Sequence, residues 1–459
     1  MSSPASRSYA WRLAALCLAM LLPSLGISIA NVALPSLKAA FGASTQDVQW
    51  VVIAYLVALT SSLVAAGRLG DLLGRRRLLL GGIGLFALAG TAALFAADLW
   101  VLVLARAAQG LAAAVLMSLT IAMVGDLVPK ERTGSAMGLL GTVSAIGTAL
   151  GPSVGGLLIA GFGWPGVFGL MALAGALSLA FALHLLPPDE AVKTKRPPFD
   201  FVGALLLAIS LATFALAMTI AAPTLVIGLL LGVSAAGLIS FVRVETTTAA
   251  PLVQLSLLGQ RGTSAGLISI ALVSTIMMTT LVVGPFYLSG TLGLGPAATG
   301  LVMSIGPIVS ALVGLPAGRL VDRFGPTVAV SSGLAGVLLG ALSMALLAPA
   351  LGVAGYVASL VLITAGYALF QAANNTAVMS SAGREQRGVA SALLALARNL
   401  GLVLGASAMG ALFVVGSHGL AMVNLAPGGE AGVRLTFLVA AALAGLALTA
   451  WRWGGRAPA

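Results

Sequence analysis

Gly67-Arg68-Leu69-Gly70-Asp71-Leu72-Leu73-Gly74-Arg75-Arg76-Arg77 is the stretch that decides how the chain is read. Long apolar segments flank it, so the sequence predicts a short polar hinge clipped between two membrane helices. Glycines 67, 70 and 74 suit a tight turn, because glycine alone takes left-handed dihedrals without strain. Asp71 is short enough to reach the positive end of a neighbouring helix. Arg75, Arg76 and Arg77 crowd positive charge onto one end, which marks the cytoplasmic side. The pattern returns as Gly318-Arg319-Leu320-Val321-Asp322-Arg323-Phe324-Gly325. Gly67, Asp71 and Gly74 each shift by 251 positions, to Gly318, Asp322 and Gly325. Two copies in register indicate an internally duplicated membrane bundle.

Composition agrees. The chain has 459 residues, 59% hydrophobic and 8% charged, with a mean hydropathy of +1.10. A soluble chain carries about a quarter charged residues, so this is a polytopic membrane protein without room for a large soluble domain. The net charge of +11 follows from orientation rather than nucleic-acid binding, since cytoplasmic loops collect Lys and Arg. A single cysteine, Cys17, rules out an internal disulfide. The apolar run from Leu13 continues to Pro35 and is read as the first span rather than a cleaved leader.

About fourteen segments reach the roughly 20 apolar residues that a spanning helix needs. With the N-terminus inside, only Lys38 and Arg434 fall outside, and only Arg106 and Arg398 fall within spans. Every other basic residue is then cytoplasmic, as is the C-terminal end with Arg452 and Arg456. The polar run from Pro187 to Pro198 is read as an interdomain linker. The expected organisation is residues 1–187 as an N-terminal six-helix bundle, 188–250 as a cytoplasmic linker plus two inserted helices, and 251–459 as a C-terminal six-helix bundle.

Further motifs carry a resemblance. They are Asn31-Val32-Ala33-Leu34-Pro35, Trp50-Val51-Val52-Ile53-Ala54-Tyr55, Arg106-Ala107-Ala108-Gln109-Gly110 and the run from Gly147 to Gly156. With the two hinges, they resemble the loop and helix signatures of the major facilitator superfamily, in its fourteen-span drug:proton antiporter branch. The resemblance implies an all-α fold of two pseudo-symmetric six-helix bundles plus two extra helices. It also implies export of small organic compounds across a cytoplasmic membrane, with protons as the candidate coupling ion. A monomer is expected, and no cofactor or metal. It places Arg106 beside the translocation path.

Several residues are candidates for the mechanism. Gly147, Gly151 and Gly155 recur every four positions, which bares one helix face for close approach. Pro152 favours a bend there. The second repeat, Gly405-Ala406-Ser407-Ala408-Met409-Gly410, lacks the proline, so the bend is expected in the first half only. Arg106 and Arg398 are charges at membrane depth, which by default face other polar groups or water. A polar and aromatic set is expected to bind substrate: Asn31, Tyr55 and Gln109 from the first half, Tyr287, Tyr367, Gln371, Asn374, Asn375 and Asn399 from the second. Met277, Met278, Phe286 and Phe370 supply adaptable apolar contact.

The branch usually carries an aspartate in the first span, where this chain has Gly26. All twelve Asp and Glu residues fall at span ends or in loops, with Asp47 and Asp98 nearest the outer mouth. No carboxylate is expected at mid-membrane, where burial would tune a proton carrier. The cavity is therefore expected to be neutral to positive. Asp71 is expected to dock near Arg384-Glu385-Gln386-Arg387-Gly388, and Asp322 near Glu131-Arg132-Thr133-Gly134, closing the cytoplasmic side. A membrane-embedded enzyme would need an acid, histidine or metal-ligand cluster that the sequence does not display.

Overall fold

A computed structural model describes residues 4–127, 133–189, 200–220, 222–248, 259–381, 387–419 and 428–454. Helices α1 (Pro4–Phe41), α2 (Thr45–Leu73), α3 (Arg75–Leu94), α4 (Leu99–Leu127), α5 (Thr133–Phe162) and α6 (Trp164–Leu185) make the first repeat. Next come α7 (Phe201–Thr219) and α8 (Thr224–Thr247). The second repeat is α9 (Arg261–Phe286), α10 (Pro296–Phe324), α11 (Pro326–Leu351), α12 (Val353–Ser381), α13 (Arg387–Leu404), α14 (Gly410–Gly419) and α15 (Gly428–Gly454). Two π-helical segments interrupt it, Tyr287–Thr291 after α9 and Gly405–Met409 between α13 and α14.

Among the described residues, thirteen helices are long and apolar enough to cross a membrane, and the bent α2 makes a fourteenth when counted as one span. Leucines on their outward faces, such as Leu104 and Leu312 at 71% exposure each, suit a lipid solvent.

The chain divides into two compact units. The first comprises Met1–Ala43, Trp50–Ala212 and Val233–Leu252; the second comprises Ser44–Gln49, Thr213–Gly232 and Val253–Ala459. The division passes through α7 and α8. Within the first unit α1 packs on α4, α5 and α6, and α3 packs on α4 and α6. Within the second, α9 packs on α12, α13 and α15, and α11 on α12 and α15. In these pairings the two units match.

Glycine makes this packing possible where backbones nearly touch. A Cβ at Gly147 would lie 3.1 Å from the Leu21 carbonyl oxygen, and one at Gly151 would lie 2.9 Å from the Ile29 amide nitrogen. The α5 face predicted from the four-residue spacing is therefore the face that meets α1. Ser28 on α1 donates to the Gly147 carbonyl at 3.4 Å. In the second unit Gly401 and Gly405 play this part against α9, and Thr275 donates to the Gly401 carbonyl at 3.1 Å. Pro152 lies inside an α5 that runs unbroken from Thr133 to Phe162. A π-helical departure from α geometry falls at Gly405–Met409, in the half without the proline.

The hinges are shorter than the sequence suggests. Only Gly74 (φ 97°) and Gly325 (φ 78°) turn the chain. Gly67 and Gly70 continue α2, where a Cβ at Gly67 would lie 2.8 Å from Ser118 Oγ and one at Gly70 would collide with Leu119. Their lack of a side chain serves close packing on α4 rather than a turn. Gly318 likewise lies inside α10.

Candidate functional site

The most polar buried cluster of the first unit is built around Arg106 on α4, which has no exposed surface. Its Nε donates to the Val51 carbonyl at 2.9 Å, its Nη2 to the Gly26 carbonyl at 2.9 Å, and its Nη1 to Gln109 Oε1 at 2.8 Å. The guanidinium carbon sits 4.2 Å from the centroid of the Tyr55 ring, and the Tyr55 hydroxyl donates to the Pro23 carbonyl at 3.0 Å. Gln109 Nε2 lies 3.7 Å from Met171 Sδ. All three oxygens that receive the guanidinium are uncharged, and among the described residues no carboxylate pairs with it.

Local sequence explains the arrangement. A Cβ on Gly110 would strike the Tyr55 backbone and lie 3.0 Å from Ala58 Cβ, so this glycine lets α4 approach α2 closely enough for Arg106 to reach Val51. Gly26, whose backbone carbonyl accepts from Arg106 Nη2, stands where the resembling branch carries an aspartate. A Cβ there would lie 3.1 Å from Tyr55 Oη and 3.4 Å from Phe86 Cζ.

The structure thus brings Tyr55, Arg106 and Gln109 together. Asn31 lies on α1 and donates to Ile27 within its own helix, with Oδ1 buried and without a hydrogen-bond partner. In the second unit the candidates are more dispersed. Met278, Tyr287 and Phe370 are wholly buried; Tyr287 donates to the Ala348 carbonyl at 2.8 Å and its ring stacks on Tyr356. Asn374 donates to the Gly266 carbonyl at 3.2 Å, and its Oδ1, like Asn399 Nδ2, is buried without a partner. Met277, Phe286, Tyr367, Gln371 and Arg398 are half-buried, while Asn375 is exposed.

The loop between α2 and α3 holds a contact that sequence reasoning missed. Three arginines open α3, where the helix dipole disfavours cations. Asp189, after α6, answers them: its carboxylate accepts from the backbone N–H groups of Arg76 at 2.7 Å and Arg77 at 3.1 Å. In return Arg76 donates through its side chain to the carbonyls of Leu183 and Leu186, at 3.0 Å each, at the end of α6. Asp71, in the last turn of α2, pairs with Arg75, the first residue of α3, at 2.8 Å. Of its expected docking partners, 384–386 lie outside the described residues, as do 131 and 132 expected for Asp322. The signal for Asp189 was the arginine run itself, which demands an anion at that helix end.

Asp47 and Asp98 cap helices. Asp47 Oδ2 accepts from the Ser44 hydroxyl at 2.7 Å while Ser44 Oγ accepts from the Asp47 amide at 3.0 Å, a reciprocal cap on α2. Asp98 accepts from the Trp100 amide at 2.7 Å. Two further acids are buried at the feet of the inserted helices: Asp200, which caps α7 through the Gly203 amide at 2.7 Å, and Glu245 near the end of α8. Among the described residues no cluster of His, Cys, Asp and Glu could hold a metal ion.

The family profile of the Major Facilitator Superfamily matches residues 16–406. The chain belongs to this superfamily. It is a multi-pass membrane transporter, not an enzyme. Among its relatives, the multidrug efflux pump LfrA of Mycolicibacterium smegmatis is 32% identical over 418 residues, 88% of this chain and 81% of that protein. The riboflavin transporter RibZ of Clostridioides difficile is 28% identical over 402 residues, 87% of each. The crystal structure of a bacterial homologue of the human lysosomal transporter Spinster superposes with a TM-score of 0.70 at 15% identity, covering 99% of this chain and 98% of that one, a likeness of fold alone.

Proposed function

We propose that this superfamily member exports small amphipathic organic compounds by alternating access, favouring neutral or anionic substrates over dications, and that it works as an antiporter. The observation that carries the reading is Arg106: a fully buried guanidinium whose three partners are uncharged oxygens. A charge held at such depth by a membrane protein is a functional group by default, and one left without a counter-ion draws an anion or the negative end of a dipole. Relatives named as multidrug efflux pumps support the direction of transport. Gly26 in place of an aspartate removes the familiar acid from the first span, so protons are a coupling ion to be tested rather than assumed.

The test is transport by the purified chain in proteoliposomes, over a panel of neutral, anionic and dicationic compounds, with and without a pH gradient. Export of anionic or neutral members, accelerated by the gradient, is the expected result. Strong and specific export of dicationic dyes would sink the charge argument. A second reading, a narrow exporter of one metabolite without proton drive, is favoured by the relative named as a riboflavin transporter. It predicts one transported member of the panel and no response to the gradient.

A further inference from the structure

Helices α9 and α15 lie antiparallel in the second unit. Ser269 on α9 reaches the Ala447 carbonyl of α15 at 3.4 Å, and a Cβ on Gly454 would lie 3.0 Å from the Arg261 carbonyl oxygen. Between them an open groove of about 720 Å³ runs along the outer surface, walled by Ile268, Leu272 and Leu446 and ending at Thr449, Arg452 and Trp453. The groove changes character along its length. Ile268 and Leu446 are 50% and 57% exposed, which is apolar surface turned to lipid. At the end of α15 stand the exposed Arg452 and the exposed Trp453, and the Arg261 guanidinium lies 5.7 Å from the centroid of the Trp453 ring. Gln260 gives α9 no side-chain cap, so the first amides of that helix add their positive dipole end to the two arginines. An indole at this level is the residue type that settles at a membrane–water boundary.

We propose that this groove holds one anionic phospholipid, its phosphate between Arg261 and Arg452 and an acyl chain along Ile268, Leu272 and Leu446. A free anion would use the arginines but not the apolar wall. A neutral lipid would use the wall but not the arginines. The charge distribution of the whole chain puts this end on the cytoplasmic side, where anionic lipids and basic grooves between helices meet.

The experiment is native mass spectrometry of the full chain in mild detergent, titrated with phosphatidylglycerol or with phosphatidylcholine of the same acyl chains. The expected outcome is phosphatidylglycerol binding at least about tenfold tighter, with that preference abolished in R261Q/R452Q and kept in R261K/R452K. I268W, which obstructs the wall and leaves the arginines alone, is expected to lower phosphatidylglycerol occupancy, and it tests the groove even if the double variant fails to fold. Equal binding of the two lipids, or a preference that survives R261Q/R452Q, would overturn the proposal. So would displacement of the lipid by inorganic phosphate together with no effect of I268W, which would identify a free-anion site.

Discussion

The two units share a frame and differ in what fills it. In each, the first helix of the repeat packs on the fourth, fifth and sixth, and the third on the fourth and sixth. In each, a Ser or Thr hydroxyl ties the first helix to a glycine carbonyl of the fifth, Ser28 to Gly147 and Thr275 to Gly401. Yet α4 of the first unit carries a buried arginine with three donors engaged. On α12, its counterpart, the largest buried polar side chain is Tyr356, whose hydroxyl has no hydrogen-bond partner. The loops at Gly74 and Gly325 diverge too, because a Cβ at Gly74 would collide with Asp189 while a Cβ at Gly325 would meet nothing. Duplication has kept the backbone contacts, which tolerate no added atom, and released the side chains that only one half needs.

If that division of labour holds, the largest loss comes from the charged half. Arg106→Met removes the guanidinium and strands Gln109 Oε1, a buried acceptor whose desolvation costs about 1–3 kcal/mol. Initial transport rates in proteoliposomes are expected to fall at least about tenfold, equivalent to roughly 1.4 kcal/mol or more. Tyr356→Phe in the other half is expected to stay within about 0.5 kcal/mol of the parent in stability and to keep its rate, since its hydroxyl bonds to nothing. Equal losses in the two variants would dissolve the asymmetry.

Restoring the missing acid sharpens the same contrast. Gly26→Asp puts a carboxylate beside the guanidinium that now binds the Gly26 carbonyl, after Tyr55 and Phe86 give way by a few tenths of an ångström. With the charge of Arg106 answered, relative rates on the compound panel are expected to swing from anions toward cations by about tenfold, an interaction of about 1.4 kcal/mol. An unchanged order of substrates would show that Arg106 does not set charge selectivity.

The shared frame makes the opposite forecast, of equal effects. Gly151→Leu would drive a side chain into Ser28 and Ile29, and Gly405→Leu into Thr275 and Met278. Overpacking of this kind costs about 1–3 kcal/mol, and thermal midpoints of the detergent-solubilised variants are expected to fall together. A drop in one variant alone would mean that the glycine contacts are not equivalent across the repeat.

What was legible in the sequence follows from the same distinction. Apolar spans announce themselves by length, and the turn at Gly74 or Gly325 by a register repeated after 251 residues. Gly67 and Gly70 misled, because a glycine that admits a neighbouring helix is spelled like one that turns the chain. The depth of Arg106 was readable, but not its partners, since two of them are backbone carbonyls that no side-chain identity betrays. Asp189 escaped for another reason: it lies 113 residues from the amide it caps, and only the fold joins them.

That cap supplies the smallest effect and the finest test. Asp189 places a full negative charge on the α3 amides, next to three arginines that would otherwise crowd the positive end of the dipole. Asp189→Asn keeps the size and one acceptor oxygen but removes the charge, so the expected destabilisation is about 1 kcal/mol, the usual worth of a helix N-terminal anion. In the second unit the matching helix, α11, opens with Pro326, which has no N–H to cap and brings no cation. Asp322→Asn, on an exposed side chain of the matching loop, is therefore expected to leave the thermal midpoint where it was. Should Asp322→Asn cost as much as Asp189→Asn, the acid of the repeated hinge, rather than the unrepeated one after α6, would be what braces these loops.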